Sequence, residues 1–177
     1  MKFKILLSLF VLFCLHANAQ TISIVGTGVN GWPPNQIGAE ITLATTDNIS
    51  YTIENVLISD GEVKFRQDFD WALNWGGSTF PNGHGILNSE SDAIPTKAGI
   101  YDVTFNRVNA TYTFIGTPFP AIGIWGPAVD SQNGYVGNDK KMQTTDGVIY
   151  TLADFYFSSG QAYFRQDNNS ALVFGSV

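Results

Sequence analysis

The stretch from Thr45-Thr46-Asp47 to Phe65-Arg66-Gln67-Asp68 returns about 100 residues later as Thr144-Thr145-Asp146 to Phe164-Arg165-Gln166-Asp167. Within it Tyr51-Thr52 recurs as Tyr150-Thr151 and Gly61 as Gly160; beyond it Ala72-Leu73 recurs as Ala171-Leu172, and Ile22 to Gly26 answers Ile122 to Gly126 with one residue of slippage. A period of that size is a whole small domain, since solenoid units repeat every ~20 to 50 residues. The chain is therefore expected to be a tandem array, with one bead over 21–117 and a second copy over 120–177. Function is expected to reside in the bead.

Met1-Lys2-Phe3-Lys4, an apolar run from Ile5 to Leu15 and Ala17-Asn18-Ala19 before Gln20 have the order of a secretory signal, so 1–19 is read as a signal peptide and the protein as exported. The run is shorter than the ~20 residues a bilayer demands, and no later stretch approaches that length, so no membrane span is expected. Cys14, the sole cysteine, lies inside the run after the bulky Phe13, a poor site for lipid attachment; without it, neither disulfides nor a cysteine metal site can support the fold. Loss of Lys2 and Lys4 lowers the basic residues from 9 to 7 against 15 acidic ones and moves the net charge from -6 to about -8, which excludes nucleic acid as a natural partner.

Strand signals follow one another between turn residues: Ile22 to Val25, Ile41 to Ala44, Tyr51 to Ile58, Val63 to Gln67, Tyr101 to Phe105 and Tyr112 to Phe114. Apolar and polar residues alternate along most of them, giving each strand one face for a core and one for water. Asp47-Asn48, Asp60-Gly61 and Arg107 to Ala110 supply the reversals, because Asn, Asp and Gly tolerate the backbone angles of tight turns. Six or seven strands in one bead predict an all-β fold, an immunoglobulin-like or starch-binding-module-like sandwich of two sheets, with a small barrel as the alternative. Thr117-Pro118-Phe119-Pro120 reads as a stiff linker. The second copy has no counterpart to Thr79 to Gly116, which would leave a sheet edge and an apolar face open, and the chain is expected to be a fragment of a longer protein.

Lys64 to Gly77 is expected to be a strand running into a loop dense with aromatics, amides and glycine. With Val63, Phe65 and Gln67 on one face, Lys64 and Arg66 share the other, beside the indoles of Trp71 and Trp75. Sugar recognition wants that combination: an indole for the apolar C–H face of a pyranose, and fixed donors and acceptors for its hydroxyl rim. On that reading Trp71 and Trp75 are the platform and Lys64, Arg66 and Asn74 meet hydroxyls. The other reading has the tryptophans plugging the sandwich and Arg66 pairing with Asp68 or Asp70. Trp71 becomes Ser170 in the second copy, Asn74 becomes Val173 and Trp75 becomes Phe174, so position 75 leans toward packing and Trp71 is the better contact. Trp32, in Asn30-Gly31-Trp32-Pro33-Pro34 and opposite Tyr135, is either a lid on the core or a second platform; Phe80 and His84 are weaker candidates. Asp68 and Asp70 do not make a glycosidase pair, since nothing raises the pKa of one as a general acid requires. Neither a catalytic triad nor a metal or cofactor motif is present, and the bead is read as non-catalytic.

Val25-Gly26 leading to Gly31-Trp32, then Gly61-Glu62-Val63-Lys64-Phe65-Arg66, Trp71 through Gly76-Gly77, and Ala98-Gly99-Ile100-Tyr101-Asp102-Val103-Thr104-Phe105 occur in an order that resembles the SusE/SusF-like outer-membrane starch-binding protein family. The resemblance implies tandem β-sandwich domains displayed at the outer-membrane surface or outside a Gram-negative cell, holding an alpha-glucan or related oligosaccharide without cleaving it, as part of an outer-membrane glycan-uptake complex. It suggests Trp71 and Lys64 first as ligand contacts, with Arg66, Asn74, Trp75 and Trp32 behind them. Family members are typically lipoproteins, whereas the signal here resembles one cut by ordinary signal peptidase. The rival reading is a spacer or protein-interaction repeat of a larger secreted protein, or an accessory domain of a downstream enzyme.

Overall fold

The computed structural model describes residues 20–33, 40–129 and 139–175. The expected signal peptide with Cys14, and the Gly134-Tyr135 counterpart of the Trp32 loop, lie outside the described residues. The fold is all-β and every strand pairing is antiparallel. Among the described residues no helix is long and apolar enough to cross a membrane.

The first copy is built from β1 (Ile22–Val25), β2 (Ile41–Leu43), β3 (Ser50–Ile58), β4 (Gly61–Gln67), β5 (Asp70–Gly76), β6 (Asn82–His84), β7 (Ile86–Leu87), β8 (Ile94–Thr96), β9 (Gly99–Asn106) and β10 (Thr111–Pro118). One sheet runs β2-β1-β4-β5-β7, with β8 also on β4; the other runs β3-β9-β10-β6. Two sheets closed on a shared core make a sandwich. Apolar residues of both supply that core: Ile22, Ile24, Val63, Phe65 and Trp75 from the first, Tyr51, Ile58, Tyr101, Val103, Phe105, Tyr112 and Phe114 from the second. Phe65 stacks on Phe105 across it, with ring centroids 4.6 Å apart. In β9 buried and more exposed residues alternate along the whole strand, as a strand with one face in a core requires.

The strands read from sequence are all present, and the structure adds to them. Asp70 to Gly76, expected as loop, is β5: Asp68 and Phe69 take left-handed angles (φ 52° and 58°), which reverse the chain at once and return it antiparallel to β4. The expected linker begins later, because Thr117 and Pro118 still pair with Ile100 and Gly99; proline is tolerated at this strand end, where its missing donor costs little. The short strands β6, β7 and β8 carry weak sequence signals, and His84 lies on β6 rather than in a loop.

The second copy repeats the frame of the first. Strands β11 (Ile122–Trp125), β12 (Lys140–Lys141), β13 (Tyr163–Gln166) and β14 (Val173–Phe174) pair in the order β12-β11-β13-β14, the order of β2-β1-β4-β5. The likeness extends to single bonds. The Thr21 amide donates to Asp68 Oδ1 as the Ala121 amide does to Asp167 Oδ1, both at 2.9 Å. Tyr51 and Tyr150 hydroxyls donate to the carbonyls of Gln20 and Pro120. Left-handed Asn55, Asp68 and Phe69 are matched by Asp154, Asp167 and Asn168.

The turns before β3 and its counterpart are also equivalent. Asp47 Oδ1 accepts the amides of Ser50 and Ile49, both at 2.8 Å, and Asp146 Oδ1 accepts those of Ile149 and Val148 at the same distance. These amides, with Thr45 and Thr144 hydroxyls adding to them, hold both carboxyls below the ordinary value of 3.8. A carboxyl with a depressed folded pKa stabilises the fold fully above its unfolded value and loses that contribution as pH falls through the folded one. The gap in unfolding midpoint between the parent chain and Asp47→Ala should therefore be constant above about pH 5 and narrow below 3.8. A gap unchanged down to about pH 2.5 would show that the charge of this carboxylate does not hold the turn.

Candidate functional site

Because β4 is pleated, the residues between its core side chains face away from the core. There Ser23 of β1, Arg66 of β4 and Asn74 of β5 fall in one cross-strand row, and Val25 stands opposite Lys64 in the next. An ionised guanidinium on such a surface must be exposed or paired. Arg66 is paired: its side chain and that of Glu40 are wholly buried, Nε donates to Glu40 Oε2 at 2.9 Å, and Nη2 donates to Glu40 Oε1. The Ser23 hydroxyl donates to the same carboxylate. Burial pushes the Arg66 pKa down and Asp70 opposes it, but an arginine starts so far above neutrality that the charge persists.

Trp71 lies over this pair. Its ring centroid is 4.6 Å from Arg66 Cζ, a cation–π distance, and its Nε1 donates to the Pro33 carbonyl at 3.3 Å. Trp32 meets it at 6.2 Å between centroids with the planes inclined by 41°. Asn74 is tied to the same turn of chain, its Nδ2 donating to the Trp71 carbonyl at 2.9 Å and its amide donating to Asn88 Oδ1 at 3.0 Å. Lys64 Nζ donates to the Ser89 carbonyl. These contacts bring the 88–93 loop against the sheet, and Gly76 permits the approach: a first side-chain carbon there would overlap the Asp92 carbonyl.

The result is an open groove of about 660 Å³ lined by Trp32, Trp71, Ala72, Glu62, Lys64 and Asn74, and by Asn88, Ser89, Glu90, Ser91 and Ala93 of the loop. Trp32 is 40% exposed and Trp71 is half-buried, so both indoles offer surface. Asn74 is almost wholly buried, and its Oδ1 has no hydrogen-bond partner among the described residues; nor has Arg66 Nη1, one strand away. A buried acceptor without a donor costs ~1 to 3 kcal/mol, so the groove floor favours any rearrangement or ligand that supplies one.

Four of the six residues singled out from sequence therefore share the groove: Trp71, Lys64, Asn74 and Trp32. Two do not. Trp75 points to the opposite side of β5, is 7% exposed and packs 5.1 Å from Phe105, so it is core, as its pairing with Phe65 across β4 and β5 dictates. Arg66 supports the platform from beneath and is spent on Glu40 rather than on hydroxyls, Asp68 or Asp70. Phe80 packs against Tyr101 and Phe114 in the core. Sequence reasoning missed Glu62, Asn88, Ser89 and Glu90. The run Asn88-Ser89-Glu90-Ser91 carries a turn signal, but nothing local says that it folds back onto β4.

In the second copy Arg165 keeps its carboxylate, with Nε 2.9 and 2.7 Å from the two oxygens of Asp139. The shorter Asp is matched by Gly123 where the first copy has Ser23, and a side chain at 123 would run into Asp139. The groove residues change: Lys64, Trp71 and Asn74 are answered by Tyr163, Ser170 and Val173.

The Arg66–Glu40 pair supplies the first test of this arrangement. Glu40→Leu alone leaves a buried guanidinium without its counter-charge and should cost ~3 to 5 kcal/mol in urea denaturation, whereas Glu40→Leu with Arg66→Met should recover most of that loss. A double variant as unstable as the single one would mean that packing at these positions, not charge, is what matters.

Compared with models of known protein families, with curated proteins and with solved structures, the chain matches none.

Proposed function

We propose that the protein is a non-catalytic glycan-binding protein whose first copy holds a saccharide in the groove beside Trp32 and Trp71. The observation that carries the reading is the pair of inclined, partly exposed indoles set beside fixed amides, a hydroxyl-bearing loop and two carboxylates in one groove. Indoles take the C–H faces of a pyranose, and amides and carboxylates take its hydroxyls. The support beneath matters as much: Trp71 is held by Arg66 and by the Pro33 carbonyl, so little rotamer freedom is left to lose on binding.

The family resemblance narrows this proposal to starch-type alpha-glucans, and to an exported protein at the outer-membrane surface working with a glycan-uptake complex. Asp68 and Asp70, the carboxylates weighed as a glycosidase pair, line no part of this groove and are engaged in hydrogen bonds of their own. Asp68 accepts the Thr21 amide and Gln67 Nε2, and Asp70 accepts the Ala72 amide at the start of β5. Among the described residues no three His, Cys, Asp or Glu side chains cluster as a metal site.

One observation favours the rival, a spacer or protein-interaction repeat: the contacts that hold Trp71 also tie it to the Trp32-Pro33 segment, a packing role in itself. Calorimetric titration of the exported chain with maltoheptaose separates the two. Saturable binding is expected near the millimolar range, corresponding to about -4 kcal/mol, and a folded Trp71→Ala variant should bind at least about tenfold more weakly. Absence of heat with maltoheptaose and with other neutral oligosaccharides would favour the spacer.

A further inference from the structure

We propose that the groove of the first copy selects its saccharide by charge, Glu62 and Glu90 drawing amine-bearing sugars in and turning acidic ones away. The inference rests on the glycan-binding reading and adds to it the kind of substituent the sugar carries. Charge at the groove is unevenly engaged. Lys64 supplies the one ammonium among the described lining residues; its side chain is buried and its Nζ donates to the Ser89 carbonyl, so it braces the loop against the sheet. Glu62, on the strand wall, and Glu90, on the loop wall, are exposed, and neither carboxylate has a hydrogen-bond or ion-pair partner among the described residues. The groups beneath do not reverse this balance. Arg66 is matched by Glu40, and Asp92, next to the lining residues of the loop, adds a further carboxylate that accepts the Ser89 hydroxyl.

Two further features of the groove ask for the same ligand chemistry. Asn74 is 8% exposed, and with its Nδ2 committed to the Trp71 carbonyl its Oδ1 is left as a buried acceptor without a donor. Trp32 and Trp71 present indole surface, and the face of an aromatic ring attracts a cation and repels an anion. An ammonium on a pyranose brings three donors and a positive charge to these groups. A uronate carboxylate brings acceptors alone and a charge of the wrong sign, and a neutral sugar falls between the two.

The second copy loses the charge together with the platform. Gln161 stands where the first copy has Glu62, as Ser170 stands for Trp71 and Val173 for Asn74. The Gln161 Oε1 accepts the Tyr163 hydroxyl at 2.8 Å. The frame therefore holds an amide at this position, which makes Glu62→Gln a substitution suited to testing charge without disturbing the sheet.

Calorimetric titration of the exported chain with three forms of one oligosaccharide tests the selection: maltoheptaose, maltoheptaose with amines in place of some 6-hydroxyls, and maltoheptaose oxidised to carboxylates at some 6-positions. At about 20 mM salt the amine form should bind at least about tenfold more tightly than the carboxylate form, with maltoheptaose between them. Raising the salt to about 0.5 M should bring the three within about threefold of one another. Glu62→Gln/Glu90→Gln should compress the low-salt ratio of amine to carboxylate form to about threefold. Glu54→Gln/Asp154→Asn removes the same two charges from β3, in the opposite sheet, and from the second copy, and should leave that ratio unchanged. Equal binding of the three forms, tighter binding of the carboxylate form, or a ratio that falls as far with the distant pair as with the groove pair overturns this inference and leaves the glycan-binding reading standing. If all three forms give no heat, both fall.

Discussion

A charged group buried in a sheet face dictates what surrounds it, and Arg66 is that group here. Its guanidinium needs a carboxylate, which places Glu40 and draws in the Ser23 hydroxyl; its flat face needs a cover, which Trp71 provides. The same strand that presents Arg66 outward presents Phe65 inward to Phe105. One pleated strand thus fixes the core on one side and the groove on the other, and a slip of one residue would exchange the two. A buried ion pair contributes little net stability over an apolar substitute, so its persistence in both copies points to geometry: it holds an aromatic ring at a set height above the sheet.

Much of the fold was legible because it is periodic. Alternation and turn residues located the strands of the first copy, and the repeat located the second copy, whose left-handed residues the structure then matched to those of the first. What escaped was set by contacts distant in sequence. Asp70 to Gly76 reads as loop because its polar and aromatic residues do not alternate cleanly, and only pairing with β4 makes it a strand. The separation of Trp71 from Trp75 was half visible, since an aromatic is kept at position 75 and not at 71. The role of Arg66 was not, because its partner Glu40 lies 26 residues away, beyond β2 and β3, and nothing in the residues around either marks the two as a pair. The groove's far wall was hidden for the same reason: Asn88 to Ala93 reach the sheet through the closeness that Gly76 allows and the bonds of Lys64 and Asn74.

Comparison of the copies separates what the frame needs from what varies on it. The Asp47 and Asp146 turns, the Tyr51 and Tyr150 hydroxyl bonds and the two arginine–carboxylate pairs recur although the sequences between them have drifted. Even where the pair changes, it changes in concert: Glu40 with Ser23, the shorter Asp139 with Gly123. Such compensation preserves the position of the guanidinium within the sheet. The groove side chains show no such restraint, and Lys64, Trp71 and Asn74 are all replaced together. A constant scaffold beneath a changeable rim is what a recognition surface requires, because specificity is tuned at the rim without disturbing the pair that supports it.

The same division accounts for the tandem arrangement. On the glycan-binding proposal, a shallow groove with two stacking rings would bury little of its ligand, and ordering and desolvation would consume part of the gain, so a single copy would bind weakly. Deepening the groove would require longer loops on a small sandwich. Repeating the bead does not: were a second copy to bind the same polymer, it would meet it at an effective concentration set by the short connection between copies, and affinity for a long chain would rise without any stronger contact. For that gain the copies need not be identical.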